Sequence, residues 1–548
     1  MKTLYKWMLL INTFLKVDKK KMTSINGLFM KTIGLLLVGL PSLWGQIRFL
    51  NATAQLPNAD YAGYWSKAVV DLDGNGLDDI LSTQIGAKNM YVFYQMQPGT
   101  FRSQVIQKFT KPWPLSTTVG DLNNDKRNDI ITGSAYDGLT VQYNQGSGVF
   151  RVDTLMNPLI LMQAASMVDI NNDGWLDYSA CNDDGLNQLW KNDKTGSLIP
   201  VFDWIDFKTV PTSNNSGNYG LVWSDIDNDG DLDLYVAKCS IYAMNDPSDP
   251  RRINQLFVNN TYSRVNGQII KNPQDFLLNP IGWFTEAAHA YNVKISGQSW
   301  SADFADIDND GDQDLLVTNH ESPTMLLEND GTGHFTDITV TSQLFGLGHP
   351  LQGIMRDFDN DGYVDILIAG DTEVQLWRNN HNKTFTKQAN AFGGAITNSF
   401  AVGDLNHDGF YDVYTSYNPN LNKPDSLWLN PRNTNHFLAI TLQGRRSNTN
   451  GVGAKITVSL ADQTIQVREV RAGESYGITN TFTQIIGLEQ QSMVAKIVVQ
   501  WPSGQVDTYH NPTIDKYLYL TEGGCIDTLP NQPCQASCKC GVVQVRRI

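Results

Sequence analysis

A nine-residue loop with carboxylates at alternate positions constrains this chain most, because it recurs seven times and each copy runs on into strand-like residues. The first copy reads Asp71-Leu72-Asp73-Gly74-Asn75-Gly76-Leu77-Asp78-Asp79. Further copies open at Asp121, Asp169, Asp225, Asp306, Asp357 and Asp404, at intervals of 50, 48, 56, 81, 51 and 47 residues. A period near 50 residues marks a repeat architecture whose units bury their apolar faces against one another. Aliphatic runs follow the loops, such as Leu315-Leu316-Val317 and Ile366-Leu367-Ile368. Then comes a Leu-aromatic-x-Asn signature, as in Leu189-Trp190-Lys191-Asn192, Leu256-Phe257-Val258-Asn259, Leu376-Trp377-Arg378-Asn379 and Leu427-Trp428-Leu429-Asn430. Each unit therefore reads as strand, acidic loop, strand, turn, strand, with no amphipathic helical period. Such a unit matches one propeller blade, and closing the units into a ring removes exposed sheet edges. The expected fold is all-β, a seven-bladed β-propeller over residues 46–432, with an open β-solenoid as the competing arrangement. The 81-residue interval holds an insertion within 240–296, with a loop at Asp246-Pro247-Ser248-Asp249-Pro250.

Within the loops, positions 1, 3, 5 and 9 carry side-chain oxygens. These are Asp71, Asp73, Asn75, Asp79; Asp121, Asn123, Asp125, Asp129; Asp169, Asn171, Asp173, Asp177; and Asp225, Asp227, Asp229, Asp233. The remaining three sets are Asp306, Asp308, Asp310, Asp314; Asp357, Asp359, Asp361, Asp365; and Asp404, Asn406, Asp408, Asp412. Hard oxygen donors around a tight turn suit Ca²⁺, which takes about 6 to 8 oxygens, whereas Mg²⁺ prefers to retain water. Glycine at position 6 permits the sharp bend. An EF-hand is excluded, because position 12 is Ser82, Thr132, Ala180, Val236, Val317, Ile368 or Thr415 and never Glu. The loops contain 27 Asp, close to half of the 56 acidic residues, and crowding them without a counterion is repulsive. Seven Ca²⁺ would bring the formal charge of −15 to about −1. The loop at Asp121 has Lys126 at the glycine position and is expected to be the weakest of up to seven sites.

Residues 1–45 read as a secretory signal: basic Lys31, an apolar run from Thr32 to Leu40, then Pro41-Ser42-Leu43-Trp44-Gly45. Met22 and Met30 are alternative starts, and a retained signal anchor is the alternative to cleavage. That apolar run is shorter than a membrane span, so no transmembrane segment is expected in the mature chain. The acidic balance argues against nucleic acid as partner. From Asn435 the pattern changes to alternating strands, Ile456/Val458/Leu460 and Ala495/Ile497/Val499/Trp501, so a small β-sandwich-like domain is expected over 433–522. A tail at 523–548 holds Cys525, Cys534, Cys538 and Cys540. Disulfides are the default there in an exported chain, with three connectivities possible. Cys181 and Cys239 are either buried thiols or an interblade bridge.

The acidic repeats, from about Arg48 to Arg432, resemble the FG-GAP/VCBS family, whose calcium loops lie between propeller strands as in integrin α-subunit heads. The resemblance implies structural calcium and does not imply catalysis. Downstream, Gly444, Ser447-Asn448, Gly451-Val452-Gly453-Ala454, Gln466 to Val470, Gly487-Leu488 and Trp501-Pro502-Ser503-Gly504 look like an ASPIC/UnbV domain. The combination is similar to the cartilage acidic protein family. The chain departs from that family's pattern at Thr449, at Thr479-Asn480 and at Ile485-Ile486-Gly487-Leu488-Glu489.

Catalytic motifs are scarce. The eight His residues make no metal-ligand spacing, and neither a nucleophile elbow nor a phosphate loop occurs. No catalytic residues are therefore assigned. His289, His320 and Arg356 flank the fifth and sixth loops and could share a propeller face, while Trp223, Trp283 and Trp300 could stack on sugars or pack in the core. The expected function is a secreted or cell-surface calcium-binding protein that adheres to a glycan or protein ligand. The alternative is a secreted, calcium-dependent, lyase-like enzyme acting on polysaccharide.

Overall fold

The computed structural model describes residues 46–527 apart from 58–61, 64, 85–86, 110–113, 266–267, 273–281, 346–347, 371 and 418–422. The signal segment at 1–45 and the tail cysteines Cys534, Cys538 and Cys540 lie outside the described residues. Among the described residues there is no α-helix, and those from Ile47 onward form one compact unit.

Each acidic loop is the hairpin between the first and second strands of a sheet of four antiparallel strands, to which the first sheet adds a fifth, parallel strand, Ile478–Thr479. The first strands are Lys67–Val70, Ser116–Gly120, Met162–Val168, Asn218–Ser224, Ser299–Ala305, Pro350–Arg356 and Ser399–Gly403. The second strands all open on the ninth loop residue: Asp79–Gln84, Asp129–Gly133, Asp177–Asn182, Asp233–Lys238, Asp314–Asn319, Asp365–Gly370 and Asp412–Ser416. First strands touch one another in chain order, and Ser399–Gly403 meets Lys67–Val70, so the sheets close into a ring around an axis. That is the propeller arrangement. The last sheet is completed by the N-terminal strand Leu50–Asn51, in register Leu50 to Leu429, so one blade is stitched from both ends of the ring. The insertion supplies two short 3₁₀ turns and the hairpin Tyr262–Val265 with Gln268–Lys271.

Two further four-stranded sheets follow. One contains His436–Gln443, Gln484–Glu489, Lys516–Thr521 and Cys525–Asp527; the other contains Lys455–Leu460, Ile465–Glu469, Val494–Gln500 and Val506–His510. Their apolar side chains, including Leu438, Val458 and Val470, belong to the same buried cluster as Val70, Leu122 and Met167 of the ring. The C-terminal sheets therefore form a cap bound through shared core, which removes apolar surface of both parts from water.

The cap covers the ring face that carries the acidic loops. Tyr519 Oη lies 3.5 Å from the Gly76 carbonyl in the first loop, and Asn450 Oδ1 accepts the Asp121 amide at 2.7 Å in the second. Lys455 bonds Asn228 in the fourth, Glu489 donates its amide to Asn360 at 2.9 Å in the sixth, and Tyr517 donates its hydroxyl to Asp404 in the seventh. A segment of the cap, 469–481, runs down the axis as a plug that meets every first strand. Ile478 and Thr479 pair in parallel with Lys67 and Ala68. Thr117 and Met167 donate their amides to the Gly477 and Ala472 carbonyls, and Ser224 bonds Glu469 at 2.7 Å. Arg471 donates to the Phe304 carbonyl at 2.7 Å, Ser475 to the Gly353 carbonyl at 3.0 Å, and Val402 to Asn480 Oδ1 at 2.8 Å. Gly473 shows why this path admits no side chain: its φ is +98°, and a Cβ there would sit 2.4 Å from the Ala165 carbonyl oxygen.

Candidate functional site

The loop geometry follows from two aspartates that serve the backbone. The ninth residue accepts the amide of the second through Oδ2 in all seven loops, at 2.9–3.2 Å. Its Oδ1 accepts a third-strand amide at 2.7–2.8 Å, from Gln95, Asn144, Asn192, Asn259, Asn329, Asn379 or Asn430. The first residue accepts the amides of both the fifth and the sixth in five loops, as Asp169 does from Asp173 at 2.9 Å and Gly174 at 2.8 Å. Amides that strand pairing leaves over are thereby satisfied inside the turn.

Two backbone positions per loop are left-handed. Position 6 has φ between +69° and +101°, and position 4, held by Gly74, Asn124, Asn172, Asn228, Asn309, Asn360 or His407, has φ between +53° and +78°. Position 4 escaped the sequence reading, although its repeated Asn was the available signal, since Asn tolerates this conformation. The Leu-aromatic-x-Asn signature also acquires a cause. Its Asn side chain donates to the carbonyl of the second residue in a neighbouring loop, as Asn192 does to Leu122, Asn379 to Ile307 and Asn430 to Phe358, at 2.7–2.9 Å. Each such bond ties one sheet to the next.

Carboxylate oxygens gather within 4.8 Å of one another in four loops: Asp71, Asp73 and Asp79; Asp225, Asp227 and Asp229; Asp306, Asp308 and Asp314; Asp357, Asp359 and Asp361. These clusters could hold a metal ion. Two observations test the fit. Asp308 and Asp359, both third residues, each leave a buried Oδ1 without a hydrogen-bond partner, as does the amide oxygen of Asn406. Burial also drives the carboxyls upward: Asp71 and Asp359 to about 6, Asp225 and Asp306 to about 7, and Asp229 to about 8, with neighbouring carboxylates adding to the rise. A divalent ion would give these buried oxygens the partner they lack.

The other predicted ligands are distributed differently. Asn75 turns its amide to the Gln95 carbonyl at 2.9 Å, while Asp233 and Asp365 spend both oxygens on backbone amides. In the second loop Lys126 occupies the sixth position at φ +69°, and Arg127 pairs with Asp125 at 2.5 Å. In the third loop Asp173 lies 3.4 Å from Lys194, and in the seventh Asn406 donates to Asp408 at 3.1 Å. Basic side chains also reach over the fifth and sixth loops: Lys383 to Asp308 at 2.5 Å, and Arg378 to Asp359 and Asp361 at 2.5 and 2.8 Å.

His289, His320 and Arg356 do not form one cluster. His320 stacks on Trp300 with ring centroids 4.6 Å apart, and His289 is exposed in a turn. Arg356 is buried on the axis, where it pairs with plug residue Glu474 at 2.5 Å and lies 3.6 Å from Asp303. Arg471 completes this network at 3.3 Å from Asp303 and 2.7 Å from Glu469. Burial raises Asp303 to about 7, whereas for Glu474 burial is outweighed by Arg356 and Arg471, leaving it below its ordinary value. Trp223 and Trp283 are core residues; Trp300 is half-buried in an aromatic group with Trp65, Tyr219 and plug-tip Tyr476. Cys181 and Cys239 are free buried thiols and not an interblade bridge. None of the plug contacts was legible beforehand, because they join residues as far apart in sequence as Lys67 and Ile478.

Two family models match parts of this chain. The family described as FG-GAP-like repeat matches residues 71–132, 121–178, 169–236 and 357–415, and the family described as ASPIC and UnbV matches 444–526. Cartilage acidic protein 1 of Xenopus tropicalis is 21% identical over 226 residues, 37% of this chain and 34% of that protein, so the chain spans about a third of this relative's length in the match. Among solved structures, an Agrocybe aegerita lectin described for recognition of non-reducing terminal N-acetylglucosamine aligns at 16% identity, covering 68% of this chain and 99% of its own, with a TM-score of 0.40. A virginiamycin B lyase from Staphylococcus aureus aligns at 11% identity over 70% of this chain and 99% of its own, with a TM-score of 0.38. Among the described residues no helix is long and apolar enough to cross a membrane.

Proposed function

We propose, for a chain that carries FG-GAP-like repeats and an ASPIC and UnbV domain, that it is an extracellular binding protein whose ring is held by calcium in its acidic loops. The observation that carries this reading is the gathering of three carboxylates in each of four loops, with buried anionic oxygens lacking a hydrogen-bond partner in two of them. Such loops repel themselves when charged, so a bound Ca²⁺ that prefers the folded ring stabilises it by mass action. Positions 1 and 3 with either 5 or 9 supply the side-chain oxygens, and the two left-handed residues turn the chain around the ion. Ions set between the ring and its cap also make the cap part of the calcium-bound state. The export signal read at 1–45 and the likeness to a cartilage acidic protein support an extracellular setting. A rigid ring with loops and a cap then serves as a platform for a glycan or protein ligand.

The test is thermal unfolding in chelator, in Ca²⁺ and in Mg²⁺, paired with a glycan array in calcium. A melt that drops in chelator and recovers with Ca²⁺ more than with Mg²⁺ supports the metal reading. Identical melts in all three remove it.

A further inference from the structure

Between the second loop, the third loop and the cap lies a cleft of about 540 Å³ whose charge runs against the rest of this acidic face. It is lined by Lys126, Arg445 and Arg446 together with Trp175, Thr449 and Asp173. The three cations are exposed, and none is paired with a carboxylate among the described residues, whereas Asp173 is drawn to Lys194 at 3.4 Å. A second cavity of about 110 Å³ adjoins it, sharing Lys126, Gln443 and Thr449 and adding Arg127. The two form a groove along the ring–cap seam.

The arginine-bearing loop is pre-set. Buried Glu522 accepts the amides of Arg445, Arg446 and Ser447 at 2.7, 2.6 and 2.9 Å, so the backbone is pinned while both guanidinium groups stay free for a ligand. Lys126 stands at φ +69°, where the other six loops have glycine. The cation that weakens this loop as a metal site thus becomes part of the cleft wall.

We infer that this cleft binds an anionic polysaccharide, with Lys126, Arg445 and Arg446 on its sulfate or carboxylate groups and the half-buried ring of Trp175 against a sugar face. Charge decides the class: unpaired cations focused in a groove on an otherwise acidic face attract an anionic ligand to this place alone. Guanidinium groups offer paired donors to sulfate and carboxylate, and an aromatic ring favours a pyranose over a flexible acidic peptide. The inference deepens the binding-protein reading and rests on it.

The test measures fluorescence anisotropy of the full chain in Ca²⁺ with labelled dextran sulfate octamer, oligogalacturonate octamer, unsulfated dextran octamer and an oligonucleotide of matched charge. Binding of either anionic sugar, absent for plain dextran and weakened by salt, is expected, and which one binds tells sulfate from carboxylate. The K126Q/R445Q/R446Q variant should lose about tenfold or more in affinity with an unchanged melt, because all three side chains are exposed. W175A should weaken the sugar more than the oligonucleotide. Retained affinity in the triple variant, equal binding of plain dextran, equal binding of the oligonucleotide, or no binding of either anionic sugar would overturn the inference. Neutral glycans bound on the array alongside any of these results would leave the binding-protein reading standing; an array silent for every ligand would count against that reading itself.

Discussion

The fourth loop, Asp225 to Asp233, and the second, Asp121 to Asp129, share one backbone and differ in chemistry. In both, the ninth aspartate holds the second residue's amide and a third-strand amide, at 3.2 and 2.8 Å for Asp233 and 3.1 and 2.7 Å for Asp129. The fourth then adds gathered carboxylates at Asp225, Asp227 and Asp229, while the second has Asn123, Lys126 and Arg127. Two jobs are therefore separable within one motif. Positions 1 and 9 hold the hairpin's own amides in both loops; positions 3, 5 and 6 are where the two differ in charge. An aspartate's presence in the repeat is thus no measure of its affinity for metal.

That separation is open to direct attack. The largest effect is expected from Asp233→Ala and Asp129→Ala, each of which strips two buried amides of their acceptor and should cost about 3 kcal/mol or more in denaturant unfolding. The cost should persist in chelator and be similar in the two loops; a much smaller cost at Asp129 would break the comparison. Next is calcium removal, which should expose a pH dependence of fixed sign. Carboxyls whose folded pKa lies above 3.8 bind protons more tightly when folded, so their contribution is fullest at low pH and is lost as pH rises. With Asp71 at about 6, Asp225 at about 7 and Asp229 at about 8, chelated protein should lose melting temperature between about pH 4 and 8. Saturating Ca²⁺ should flatten that slope, and scanning calorimetry across pH reads both. A smaller change should follow Asp227→Asn, which leaves the hairpin bonds intact: calorimetric titration should show one Ca²⁺ fewer or bound about tenfold more weakly, with little change in the chelated melt. Smallest is Lys126→Gly, which relieves a side chain at φ +69° and should raise stability by about 1 kcal/mol, visible as a shifted denaturation midpoint.

Legibility followed sequence distance. The loops could be read because their ligands fall within nine residues and their left-handed glycines are local requirements, so residue type alone reports them. Even so, the bond from the Asn75 side-chain amide to the Gln95 carbonyl of the third strand was not legible there. Arg356 looked like a surface group beside the sixth loop and is instead buried against Glu474, 118 residues away. A carboxylate or guanidinium group reads the same in sequence whether it faces water, a metal or a salt bridge. Only burial and the partner across the gap tell these apart.

By itself the sequence determined a ring of acidic hairpins, since a period near 50 residues with alternating apolar strands has few ways to bury its faces and shield its edges. It also determined that a different β pattern follows the ring. Only the tertiary structure decided that this second pattern lies across the loops and sends 469–481 down the axis, because those contacts depend on surfaces that exist only once the sheets have closed. The cationic seam has the same origin: Lys126 and Arg445 are over 300 residues apart, and only closure of the ring beneath its cap brings them to one cleft.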